Sequence, residues 1–308
     1  MTAPHLRQFG RRSDTLLYWS ERFGARQAFQ LDLKSGDSHQ VTEAAALDPL
    51  SIALSADERS VYYFDRASLF ESSLGSLRKR ELHTVAAGVI RTGLALTTDG
   101  SAVFAERQGG ASRIVRILRT GPKTVLEIDG SIDFVMARPR HPQLLYQAGG
   151  ALWLVNPDGS GKTRLKLEPG QTGEVLWTQT GRTLLYLHIP DDPKQLITLR
   201  ENDPGEKTDK QIARTSQFES VAPNGDGSVF VGASRSRASA YVLLLLRVTR
   251  RELTLCEHRA SDPGMVLPIF SPDSQSVFFA SDRHGKQALY RVRIEKFVEE
   301  TSADSGPQ

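Results

Sequence analysis

Short apolar runs, each set off by a turn rich in Asp, Pro or Gly, recur along the whole chain. In FSPDSQSVFFASDRHGKQALYRV (270–292) a turn at Pro272 and Asp273 leads into Val277, Phe278 and Phe279. A charged loop from Asp282 to Lys286 follows, and Ala288 to Val292 make a second run. The same order begins at Ser13 and Asp14 before Leu16, at Ala56 and Asp57 before Val61, and at Thr98 and Asp99 before Val103. It begins again at Arg140 and His141 before Leu144, with weaker copies at Thr180 and Gly181 and at Gly225 and Asp226. Seven copies, roughly 41–47 residues apart, match the period of a four-stranded propeller blade. Period-2 alternation and Pro-Asp or Asp-Gly turns predict strands, and no segment sustains a 3.6-residue apolar period.

The fold expected is therefore all-β, a seven-bladed β-propeller of four-stranded antiparallel blades. One domain spans 1–298 and a polar tail covers 299–308. With strands named A to D outward from the axis, the second unit places A at Leu50 to Leu54, B at Val61 to Phe64, a weak C within Ala67 to Leu74, and D at Arg80 to Val85. The fourth places C at Ala151 to Val155 and D at Thr163 to Leu167. A propeller must close to remove exposed sheet edges. The candidates for closure are Lys296, Phe297 and Val298, or Leu6 to Phe9.

The apolar and charged fractions, 39% and 24%, are those of an ordinary soluble protein. The single cysteine, Cys256, excludes an internal disulfide and fits a reducing compartment. It lies in a strand pattern and reads as a packed thiol. The longest apolar run, Tyr241 to Leu246, is far short of the roughly 18 residues of a membrane span, and MTAPHLRQFGRRSD has no signal-type apolar region. A cytoplasmic protein with no membrane partner is expected.

Net charge is only +3, so the placement of the arginines matters more than their sum. Loops joining B to C share one end of a propeller with those joining D to the next A. The B–C loops carry Arg22, Arg26, Arg66, Arg107, Arg113, Arg235, Arg237 and Arg283, with Lys286. Guanidinium forks around one mouth suit carboxylates or phosphates. Pairing with Glu21, Asp65, Glu106 and Asp282 is the alternative, in which the arginines tie loops together. Nucleic acid is not an expected partner, because the basic runs (78–80, 234–237) are short and lack interleaved aromatics.

The seven histidines form no H-x-H, H-x-x-x-H or H-E-x-x-H spacing. Nucleophile elbows, Walker loops and G-x-G-x-x-G are absent. No catalytic residue is assigned on these grounds.

The repeat resembles the TolB-type (PD40) propeller repeat. The chain as a whole resembles the oligogalacturonate lyase family, through YWSERFGARQAFQLDLKSGDSHQVT (18–42), LSADERSVYYF (54–64), LWLVNPDGS (152–160) and 270–292. The resemblance implies a seven-bladed propeller that cleaves oligogalacturonides by β-elimination, with a divalent metal, manganese, held by histidines and a glutamine near the axis. That chemistry removes a proton beside a carboxylate, so a cation must neutralise the carboxylate and a base must lie within reach. Here the H-x-H-P pair before the last blade is replaced by Met265 and Leu267, and the glutamine position falls near Asp262. Other histidine positions fall near Glu174 and Gln217, and the catalytic arginine position is Ala151. No metal cofactor is expected on this pattern. Glu174, Gln217 and Asp262 remain a conceivable oxygen-ligand set for a hard cation.

Three functional readings follow. The first is a lyase-like propeller binding an anionic, uronate-type saccharide at an arginine-rich mouth with activity weak or lost. The second is a TolB-like scaffold for a protein partner, and the third an active lyase with a relocated metal site.

Overall fold

The computed structural model describes residues 9–10, 14–235, 238 and 240–294. The seven expected repeats form seven antiparallel sheets, six of four strands and one of three, each in chain order. The chain is a seven-bladed β-propeller. Blade 1 runs Phe9–Gly10, Thr15–Ser20, Gln27–Asp32 and Ser38–Gln40; blade 4 runs Ile132–Ala137, Leu144–Ala148, Ala151–Val155 and Thr163–Arg164. Two single turns of 3-10 helix, Pro49–Ser51 and Pro263–Met265, are the helical elements among the described residues. The expected strand A of blade 2 begins later, at Ala53–Leu54, because Asp48 accepts from Leu50 N and winds Pro49–Ser51 into one of these turns. Among the described residues no helix is long and apolar enough to cross a membrane.

The recurring aspartates have a local cause. Three of the A–B turns, in blades 2, 3 and 7, are built on a hydroxyl and a carboxylate two residues apart. Ser55 Oγ donates to Asp57 at 2.6 Å, Thr97 Oγ1 to Asp99 at 2.5 Å, and Ser271 Oγ to Asp273 at 2.5 Å. Each carboxylate also accepts the backbone N–H two residues on, from Arg59, Ser101 and Gln275. These are Asx-type turns. Hydrogen bonds to the ionised form hold the Asp57 and Asp273 carboxyls below the usual range, and bring Asp99 down to about 2.

The core lies between blades rather than within them. Each sheet buries side chains on both faces, so neighbouring blades share one apolar cluster. Val103, Ala105 and Val125 of blade 3 pack on Val135, Leu144 and Tyr146 of blade 4. Phe64 of blade 2 meets Phe104 of blade 3 edge to face at 5.1 Å.

The ring closes by the same means. Leu16 of blade 1 belongs to the cluster of Val242 and Leu244 in blade 6 and Val277 and Phe278 in blade 7. Phe9 meets the Phe278 ring at 6.0 Å, and Arg291 Nη1 of blade 7 donates to Leu33 O of blade 1 at 3.1 Å. Of the two stretches expected to close the ring, Phe9 forms part of strand A in blade 1, paired with Leu16. Leu6 to Gln8, Lys296 to Val298 and the tail 299–308 lie outside the described residues. Cys256 is half-buried on strand D of blade 6, and desolvation pushes its thiol up.

Closure through packing predicts a large cost for emptying that interface. Phe278→Ala is expected to lower unfolding stability by about 3–5 kcal/mol, whereas Val248→Ser, at a turn residue 90% exposed, changes it by less than about 0.5 kcal/mol. Urea denaturation of both variants checks this.

Candidate functional site

Strands A line the axis, and their first halves face the end shared by the D–A and B–C loops. There blades 3 to 6 enclose a cavity of about 360 Å³. Its polar members are Glu174 on strand A of blade 5, Glu219 on strand A of blade 6, Gln147 on strand B of blade 4, and Arg235 just past strand B of blade 6. Apolar side chains, among them Met136, Leu187 and Phe218, form the rest of the wall.

β-Bulges place these carboxylates. On strand A of blade 5 the register slips between Thr172 and Val175, so Gly173 and Glu174 together face the single partner position of Leu187. On strand A of blade 6 it slips between Phe218 and Ser220, which leaves Glu219 as the extra residue. Strands A of blades 3 and 4 carry slips opposite Phe104 and between Ile132 and Phe134. A bulge re-aims a side chain that strict alternation would send to the blade interface. Small residues make room: a Cβ on Gly232 would lie 2.4 Å from the Phe218 ring.

Arg235 Nε and Glu219 Oε2 pair at 2.6 Å, and both side chains are substantially exposed. The Arg235 backbone N–H donates to Gln217 O at 2.8 Å, which anchors the loop. Burial in the cavity wall pushes the Glu174 carboxyl up to about 7, and the charge of Glu219 adds to the shift. Near neutrality Glu174 is thus a mixture of a hydrogen-bond-donating acid and a carboxylate.

Of the arginines expected at a common mouth, Arg235 reaches this cavity. Arg22 stacks over Phe29 at 3.9 Å and donates to Ser38 on the outermost strand. Arg26 pairs with Glu21 at 2.8 Å and covers Trp19. Arg283 donates to Glu257 O at 2.9 Å and covers Tyr290. Arg66 sits at a turn with φ 53, and Arg107 is the next-to-last residue of strand B of blade 3; both are exposed. Arg237 lies outside the described residues. Loop ends do gather at one end of the axis, but Arg22, Arg26 and Arg283 are each held by an aromatic face and a nearby oxygen. The alternative of paired arginines is met at Arg26–Glu21 and at Arg113–Glu106. Asp65 instead accepts from Ala45 and Ala46 N, and Asp282 from Ser261.

Glu219 and Gln147 were not among the expected site residues. The visible trace of Glu219 is an acidic residue inside the apolar strand FESVAP (218–223).

The oxygen-ligand set does not assemble around Glu174. Gln217 is exposed at φ 56, and the Asp262 carboxylate accepts from Gly264 N at 3.0 Å as a cap. Met265 and Leu267 offer no hard donor, and no cluster of three His, Cys, Asp or Glu residues occurs among the described residues. These donors do not fit a divalent ion.

Fold and cavity together define a closed seven-bladed propeller with a ligand-sized cavity, mostly apolar with a few polar groups, at one end of its axis. In sequence the chain is similar to the oligogalacturonide lyase of Pectobacterium atrosepticum, 24% identical over 167 residues, covering 46% of this chain and 42% of that one. It is 21% identical to the oligogalacturonate lyase of Dickeya dadantii, over 93% of this chain and 88% of that one. No family model matches the chain. Among solved structures it superposes on an oligogalacturonate lyase from Vibrio parahaemolyticus with a TM-score of 0.86 at 18% identity, covering 95% of this chain and 90% of that one. An oligogalacturonate lyase in complex with manganese gives 0.85 at 20%, covering 95% and 89%. TolB from Acinetobacter baumannii gives 0.57 at 14%, covering 78% and 62%. The resemblance to oligogalacturonate lyases therefore holds in fold over nearly the whole chain, with weak support in sequence.

Glu174 predicts a pH-dependent stability difference. Its ionised form is disfavoured in the folded cavity, so stability falls as pH rises from 4.5 through about 7. Glu174→Gln is expected to match the parent at pH 4.5 and to exceed it above pH 7, by at most about 3 kcal/mol. Paired denaturation curves at the two pH values check this.

Proposed function

We propose that this chain binds a short uronate-type saccharide in the cavity beside Arg235 and turns it over weakly or not at all. The carrying observation is the Glu174–Glu219–Arg235 group in a mostly apolar axial cavity. Arg235 is a fork for a ligand carboxylate, and Glu219 holds it in place. Glu174, protonated, donates to the same carboxylate, or as the anion accepts from a sugar hydroxyl. β-Elimination needs a cation to stabilise charge on the substrate carboxylate as the neighbouring proton leaves. Arg235 is already paired with Glu219, and Ala151, Met265 and Leu267 stand where the lyase resemblance implies catalytic and metal-binding side chains.

A scaffold reading draws on a separate observation. Phe23, Leu50, Ile90 and Leu196, each about half exposed or more, lie on loops and strand starts at this same end. A protein partner would use that apolar rim.

One experiment separates the readings. Digalacturonate and trigalacturonate are added to the folded protein with manganese, following the ultraviolet absorbance of the conjugated product and, in parallel, the melting temperature. A flat absorbance trace with a raised melting temperature is expected, with Arg235→Ala weakening binding about 10–100-fold. Steady product formation would mean an active lyase, and neither signal would favour the scaffold.

A further inference from the structure

The opposite end of the axis holds a second, larger cavity of about 560 Å³, built from the last residues of strands A and the A–B turns. Strand direction separates the two. Along Ile132–Ala137, residues 134–136 border the first cavity, whereas 136 and 137 border the second, so that Met136 lies between them. Tyr62, Met136, Trp177 and Phe270 give the second cavity apolar and aromatic walls, and Arg138 and Arg140 supply its charge.

Arg138 is 8% exposed. Its Nε donates to Gly181 O at 2.6 Å, its Nη1 to Gln143 Oε1 at 2.6 Å, and its Nη2 to Arg182 O at 3.4 Å. All three acceptors are neutral, and N–H donors remain to spare. Asp203, whose field reaches Arg138, is held by Arg182 at 3.0 Å and by backbone N–H groups. Stapling blade 4 to blade 5 accounts for the carbonyl bonds. It does not account for a buried charge with no counter-ion among the described residues, because a neutral donor would serve the same carbonyls with less desolvation.

Two further observations point the same way. The Arg138 guanidinium lies 5.0 Å from the centre of the Trp177 ring. Trp177 is 9% exposed, and its Nε1–H has no hydrogen-bond partner among the described residues. In the same turn as Arg138, Arg140 adopts φ 59 and is exposed. Two guanidiniums and an apolar wall that includes Trp177, its indole N–H buried and unpaired, thus come together at one cavity.

We propose that this second cavity is a binding site for a small ring-bearing anion, a carboxylate or a phosphate ester, whose charged group meets Arg138 and Arg140 and whose ring packs on Trp177. The site is independent of the uronate reading, since neither arginine borders the first cavity.

The test is the indole N–H spectrum of the full chain labelled at tryptophan, which has three tryptophans. Trp177→Phe assigns the signal. Phenyl phosphate and benzoate serve as probes, with inorganic phosphate as the ring-free control. The Trp177 signal is expected to shift saturably with a Kd below about 1 mM, while the Trp19 and Trp153 signals stay in place. Arg140→Ala, an exposed position, weakens the response at least about tenfold, and Arg138→Gln does the same if it folds. Response to one probe alone assigns carboxylate or phosphate as the recognised group. A Trp177 signal unmoved by both probes overturns the proposal, as does a shift that Arg140→Ala leaves intact or that inorganic phosphate reproduces.

Discussion

Seven twisted sheets packed face to face around one axis leave the inner edge of every strand A facing a channel, because neighbouring blades pack through side chains and do not pair there. A closed ring shields those edges from other chains, but the channel follows from the geometry. The rest of the molecule is arranged around it. The apolar clusters between blades set the spacing of strands A, Asx-type turns fix where strand A ends in blades 2, 3 and 7, and the polar groups at the two ends of the channel decide what it holds.

At the D–A end the channel is lined by carboxylates with one arginine; at the A–B end it is lined by arginines and an indole. This polarity comes from few residues. Bulges turn Glu174 and Glu219 inward at one end, and one turn presents Arg138 and Arg140 at the other. A propeller fold by itself specifies neither, which is why the strong structural likeness to oligogalacturonate lyases carries fold further than chemistry.

The period, the blade count and most strand positions were legible in the chain, since each rests on local signals such as Asp273 two residues after Ser271 or the alternation through Leu152 and Leu154. Strand C of blade 4 falls where the pattern placed it, at Ala151–Val155. The site was less legible for two reasons. A bulge adds one residue without changing composition, so Glu219 reads as an ordinary strand residue. The direction of a long side chain depends on what lies one strand away: Arg22 finds Phe29 and Arg26 finds Trp19, while Arg235 finds Glu219 and stays at the cavity. Glu174 came to notice through its place in the family pattern, yet its surroundings make it a proton-exchanging wall residue rather than one of a ligand cluster.

The central claim is that the first cavity holds a uronate through its own side chains. Isothermal titration of the full chain with digalacturonate, once with a chelator present and once with manganese in its place, tests this most directly. Saturable binding with the same affinity in both conditions is the result predicted. Binding that appears only with manganese would contradict the account.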